Sequence, residues 1–262
     1  MNEFRSLRRA LLLAASAWAI TTSARAQREA PETDDETERR DPPALPTPRP
    51  VRLTVGGPPS TLTVQVMPDE RRLVLSFETE GAATETITLP SWYGFARVFA
   101  VMPMRGREVV LASFEGNTGT GDYQEIAAII GREDGGALRI LGLETLRYRN
   151  SGTCDGQSLF TGRFTAQPDG VGLRYDVFAR GLPSACPPRR AGAGWREEFG
   201  TTLRWSGTGV LTLPVRRGQA GRTRIRVEAA RTRAYAWLRA AQRVMVTAQD
   251  VARLGLMETL GE

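Results

Sequence analysis

The chain has 262 residues and a formal net charge of +6, with no histidine and no lysine, so all 35 of its basic residues are arginine. Without histidine there is no Ser-His-Asp or Cys-His relay, no histidine-ligated zinc or haem and no imidazole acid–base step. Without lysine there is no Schiff base, no pyridoxal phosphate attachment and no phosphate-loop lysine, and two cysteines alone cannot build a thiolate zinc site. What remains is carboxylate chemistry, oxygen-ligated calcium, tyrosine or arginine electrophiles, or binding without catalysis. No cofactor is implied.

Arg5, Arg8 and Arg9 precede an apolar run from Ala10 to Ile20, and the small-residue site Ala24-Arg25-Ala26 follows. A positive stretch, a short apolar run and an A-x-A site make residues 1–26 a signal peptide. The mature chain is expected to begin at Gln27 and to work in the periplasm or secreted. Arg8-Arg9 partly resembles a twin-arginine export signal, but Leu7 precedes the pair, and an ordinary n-region explains it. The apolar run falls short of the roughly 20 residues that cross a bilayer, and no later stretch approaches that length, so no transmembrane segment is expected. No cysteine lies near the cleavage site, so no lipid anchor is expected there.

Residues 28–41 hold seven acids against three arginines, and 42–50 hold five prolines. With no apolar periodicity, 27–50 reads as a disordered leader, and its acids could lie against downstream arginines.

Residues 51–214 read as a β-rich domain. Leu62, Val64 and Val66 alternate with polar residues, Pro68-Asp69-Glu70 turns the chain, and Leu73, Leu75 and Phe77 resume the period of two: a hairpin. Similar runs follow at Glu85–Leu89, Phe95–Met102, Glu108–Phe114, Tyr123–Gly131 and Ala137–Leu141. Others are Leu159–Ala166, Leu173–Ala179, Thr201–Trp205 and Val210–Leu213, with glycine-rich turns between them. The fold class is therefore mainly β, an antiparallel β-sandwich or barrel-like domain with a short helical C-terminal segment. In an oxidising compartment Cys154 and Cys186 read as a structural disulfide rather than a redox pair, because they lack C-x-x-C spacing.

Residues 215–262 change character. Val227, Ala230, Ala234, Trp237, Leu238, Ala241 and Met245 recur at helical spacing and predict a core-facing stripe. Thr247 and Asp250 resemble a capping box opening a second helix that carries Val251, Leu254, Met257 and Leu260.

Two places could carry chemistry. In the run from Phe114 to Glu125, Glu115, Asn117 and Asp122 could line a ligand or calcium loop, though a glycine-rich hairpin turn explains the same residues. Glu115, Asp122 and Glu125 could also supply a glycosidase carboxylate pair if folding brought two of them close. The second place is 216–253, with ten arginines and only Glu228 and Asp250 as acids. Arg231, Arg233, Arg239 and Arg243 are candidate contacts to an anionic envelope surface or an acidic envelope protein. A solvated helix face is the plainer alternative. No nucleic-acid motif is present. Trp92-Tyr93 and Trp195 are weaker leads as exposed aromatics. The expected function is a non-enzymatic binding or interaction protein of the envelope, of unknown ligand. The alternative is a carboxylate-dependent hydrolase of envelope glycans.

Overall fold

The computed structural model describes residues 43–91, 96–119, 122–151, 157–168, 170–180, 195–206, 209–212, 221–254 and 256. The expected signal peptide, most of the expected leader, Trp92-Tyr93 and both cysteines lie outside them.

The protein is mainly β, with two antiparallel sheets in a sandwich-like arrangement, no closed barrel, and helices at the C-terminus. The four-stranded sheet runs β1 (Arg49–Val51), β2 (Ser60–Met67), β3 (Arg72–Glu78) and β4 (Glu85–Pro90) in chain order. The eight-stranded sheet holds β5 (Arg97–Met104), β6 (Arg107–Gly119), β7 (Asp122–Arg132), β8 (Leu138–Ser151) and β9 (Gln157–Gln167). Then come β10 (Gly170–Arg180), β11 (Trp195–Trp205) and β12 (Val210–Thr212), again each beside its chain neighbour. Such a meander needs only tight turns. At Arg105-Gly106 both residues have positive φ, 52° and 79°, the twist a two-residue hairpin turn demands.

The predicted hairpin is β2–β3, with Leu62 opposite Phe77 and Val64 opposite Leu75. Its apolar stripe fades along β2: Leu62 is fully buried while Val66 is 37% exposed. The middle of the larger sheet behaves differently. Val109–Glu115, Gln124–Gly131 and Leu138–Leu146 are buried at every position. A strand is buried throughout only when both faces are covered. One apolar core joins these strands to Leu73, Leu75, Ile87 and Leu89 of the smaller sheet and to Ala230, Ala234 and Leu238 of the C-terminal region.

Helix α1 spans Arg222–Ala241 and α2 spans Ala248–Arg253. Thr247 and Asp250 form the expected capping box: Thr247 Oγ1 accepts from Asp250 N, and the Asp250 carboxylate accepts from Thr247 N. Between the helices, the chain straps the two sheets together. Ile140 N donates to Arg243 O at 2.9 Å, Thr88 N to Val244 O at 2.9 Å, and Val246 N to Thr88 O at 3.2 Å. The strap lies between β4 and the first half of β8, which pairs only with β7 because β9 joins β8 from Arg147 onward.

Two expectations change. Residues 43–50, expected within the disordered leader, include ordered backbone: Leu45 N donates to Val98 O at 2.8 Å, and Arg49–Val51 pair with β2. The strand expected to stop at Leu141 continues to Ser151; as far as Leu146, burial at every position erases the alternation that would have marked it.

Candidate functional site

Glu115 and Glu125 stand directly opposite each other on β6 and β7. The pairing shifts register just beyond Glu115, and again beyond Glu125 where β7 meets β8, so bulges bracket the pair. Both residues are buried, Glu115 4% and Glu125 2% exposed. From β5, Arg97 Nη2 donates to Glu125 Oε1 at 3.0 Å, and Arg147 of β8 is the register partner of Glu125 on its other side. Oε2 of each glutamate is buried without a hydrogen-bond partner among the described residues. Burial first, and the Glu125 charge second, push the Glu115 carboxyl up to about 7. The pair can therefore hold a proton near neutrality. Asn117 and Asp122 do not join it in one loop. Asn117 continues β6 opposite Gln124, and Asp122 opens β7 opposite Gly119, with only their backbones described. Among the described residues, no group of three or more acidic or cysteine side chains is placed to hold a metal.

A second buried carboxylate, Glu144 of β8, is fully engaged. It accepts from Arg231 Nε at 2.6 Å, from the Tyr235 hydroxyl at 2.6 Å and from the Tyr175 hydroxyl at 2.6 Å. Arg231 also donates to the Tyr175 oxygen at 2.8 Å and to Glu228 at 2.5 Å. Arg231 is 1% exposed, so the expectation that it faces an anionic surface is corrected: it holds α1 to the sheet. Burial works against its charge, but the Glu144 carboxylate and the tyrosine oxygens outweigh it and raise its pKa. Burial, and then Glu144, push both tyrosines well above their ordinary value, so they remain donors. Gly142 leaves room for the Tyr235 ring, whose atoms would stand 2.7 Å from a Cβ there. The signals for this cluster were faint in the sequence: Glu228 three residues before Arg231, and one acid inside an apolar strand.

Two of the other candidate arginines do face outward. Arg233 and Arg239 are exposed, and Arg233 Nη2 reaches Leu254 O at 3.4 Å. Arg243 is half-buried, its guanidinium 4.5 Å from the centre of the Trp237 ring, and Arg253 lies 5.5 Å from the same ring. Arg253 is paired with Asp250, whereas Arg239 and Arg243 have no carboxylate partner among the described residues. Met245 does not extend the helical stripe. Gln242 adopts a left-handed conformation (φ 44°) that ends α1, and Val244 and Met245 emerge on the strap 47% and 53% exposed.

The larger of two described cavities, about 420 Å³, lies by Leu53, Ser60, Thr79, Glu85 and Arg132, away from both groups. Neither cavity is lined by Glu115 or Glu125. The Trp195 side chain, like Cys154 and Cys186, lies outside the described residues, and no described helix is long and apolar enough to cross a membrane. No protein-family model matches the chain, and no curated protein or solved structure matches it.

Proposed function

We propose that this is a non-enzymatic binding protein that works outside the cytoplasm and engages an anionic envelope surface or partner through the C-terminal end of α1. The observation that carries the reading is the Trp237 ring with Arg243 and Arg253 against it; Arg239, two residues on in the same helix, is exposed and has no carboxylate partner among the described residues. Arginines without carboxylate partners leave charge available to an incoming anion, and stacking on Trp237 holds the Arg243 head in place. The charged start and A-x-A site of the chain support export. Titration with inorganic polyphosphate tests the reading. Affinity should fall steeply between low and physiological salt, and Arg239→Gln with Arg243→Gln should lower it at least about tenfold with the fold intact. Affinity that ignores both salt and the substitutions would overturn it.

One observation favours a second reading, hydrolysis by paired carboxylates: Glu115 carries a raised pKa opposite Glu125. The burial of both side chains weighs against it, since a substrate would have to displace part of the sheet to reach them. Glycan-hydrolysing activity in the purified chain that is lost in both Glu115→Gln and Glu125→Gln would favour this reading over the first.

A further inference from the structure

We infer that the strap after α1 seats on an anionic lipid bilayer, with Val244 and Met245 entering the headgroup layer and Arg239, Arg243 and Arg253 meeting lipid phosphates. This rests on the anion-binding reading above and narrows its ligand to a membrane surface.

The first support is the contradiction between a fixed backbone and exposed apolar side chains. The strap is hydrogen-bonded to β4 through Thr88 and to β8 through Ile140, so its conformation is held from both sides. Val246 points inward and is 2% exposed, yet the adjoining Val244 and Met245 are about half exposed. Val246 supplies the packing at this place; the other two side chains contribute little to it. A preorganised apolar pair enters a partner with little loss of conformational freedom.

The second support is what lies near the pair in the chain. Trp237, half-buried and flanked by Arg243 and Arg253, is the kind of residue that sits comfortably between hydrocarbon and water. Among the described residues, the nearest acids in sequence on either side are both engaged: Glu228 bonds Arg231, and Asp250 bonds Arg253 and caps α2. The described rim is therefore cationic around an apolar tip. A folded acidic partner would have to match a surface of roughly 800 Å² on each side, whereas a fluid anionic surface closes around a small tip by itself.

The test uses the full chain with three probes: vesicles of mixed phosphatidylglycerol and phosphatidylcholine, vesicles of phosphatidylcholine alone, and soluble inorganic polyphosphate. Binding is expected to the first vesicles and to polyphosphate. Val244→Ser with Met245→Ser should weaken vesicle binding about tenfold and leave polyphosphate binding unchanged, because every arginine remains. Brominated acyl chains should quench tryptophan fluorescence of the wild-type chain on anionic vesicles, and Trp237→Phe should remove most of that quenching. This measurement needs no strap substitution, so it stands even if the double variant folds poorly. Absence of quenching overturns the inference, as does vesicle binding by the double variant equal to wild type. Binding to polyphosphate but not to vesicles overturns the lipid inference and leaves the anion-binding reading in place. Binding to neither probe removes both.

Discussion

Two buried carboxylate groups on one sheet solve the same problem in opposite ways. Glu144 is surrounded by donors: a guanidinium and two tyrosine hydroxyls reach it, and the arginine itself is shared with Glu228. Glu115 and Glu125 oppose each other, with Arg97 on one of them and an unpartnered oxygen on each. A charge out of water must be matched by a counter-charge and hydrogen bonds, or it takes up a proton. The first group takes the former course, and its arginine and two tyrosines are all held in their protonated forms. The second takes the latter, with Glu115 protonated until near neutrality. The first therefore behaves as a rivet between α1 and the sheet, and the second as a place where solution conditions can act on the fold.

The largest effect should come from breaking the rivet. Arg231→Met leaves the Glu144 carboxylate and the Tyr175 and Tyr235 hydroxyls buried without their cation, and should cost about 3–5 kcal/mol. Urea denaturation measures the loss, and a cost below about 1 kcal/mol would mean that the sheet holds α1 without this network.

Glu115→Gln should act in the other direction and sharpen the contrast. The folded pKa of about 7 lies above the ordinary value of 4.5, so the native state binds the proton more tightly than the unfolded chain. The contribution of Glu115 to stability is then greatest below about pH 4.5 and is lost as pH rises through about 7. Glutamine has no proton to lose, so the variant should exceed wild type by on the order of 1 kcal/mol at pH 8 and show a flatter profile between those limits. Melting temperatures across pH 4 to 9 settle this, and parallel profiles for the two chains would refute it.

The smallest effect extends the contrast along one helix. Arg239→Gln should change stability by less than about 0.5 kcal/mol, because the side chain is exposed and has no ion-pair partner among the described residues, although it lies only eight residues from Arg231. An effect on the scale of Arg231→Met would assign the exposed arginines to the fold rather than to binding.

The segments that could be read along the chain were those whose signal is local. Thr247 and Asp250 announce α2 because a capping box needs only residues three apart. The 61–77 hairpin shows because one face of each strand meets the core while the other meets water at a period of two. Val227, Ala230, Ala234 and Leu238 mark the buried side of α1 for the same kind of reason, a fixed rotation per residue. The candidate carboxylates were legible as residue types, but their opposition on β6 and β7 was not, since it depends on register across a turn.

Tertiary structure alone decided the rest. The stretch of β8 from Gly142 to Leu146 was invisible because strands covered on both faces lose their alternation. Arg231 and Arg239 are chemically identical, and only the position of Glu144, 87 residues before Arg231, buries one and leaves the other in water. Met245 fits the helical period, yet a left-handed Gln242 and hydrogen bonds to two separate sheets turn it outward. The chain itself determined composition, strand propensity and caps, because these act over a few residues. Which charges are matched, and which remain available to a ligand, followed from contacts between residues far apart in the chain, and those contacts exist only once the two sheets and α1 have packed around one core.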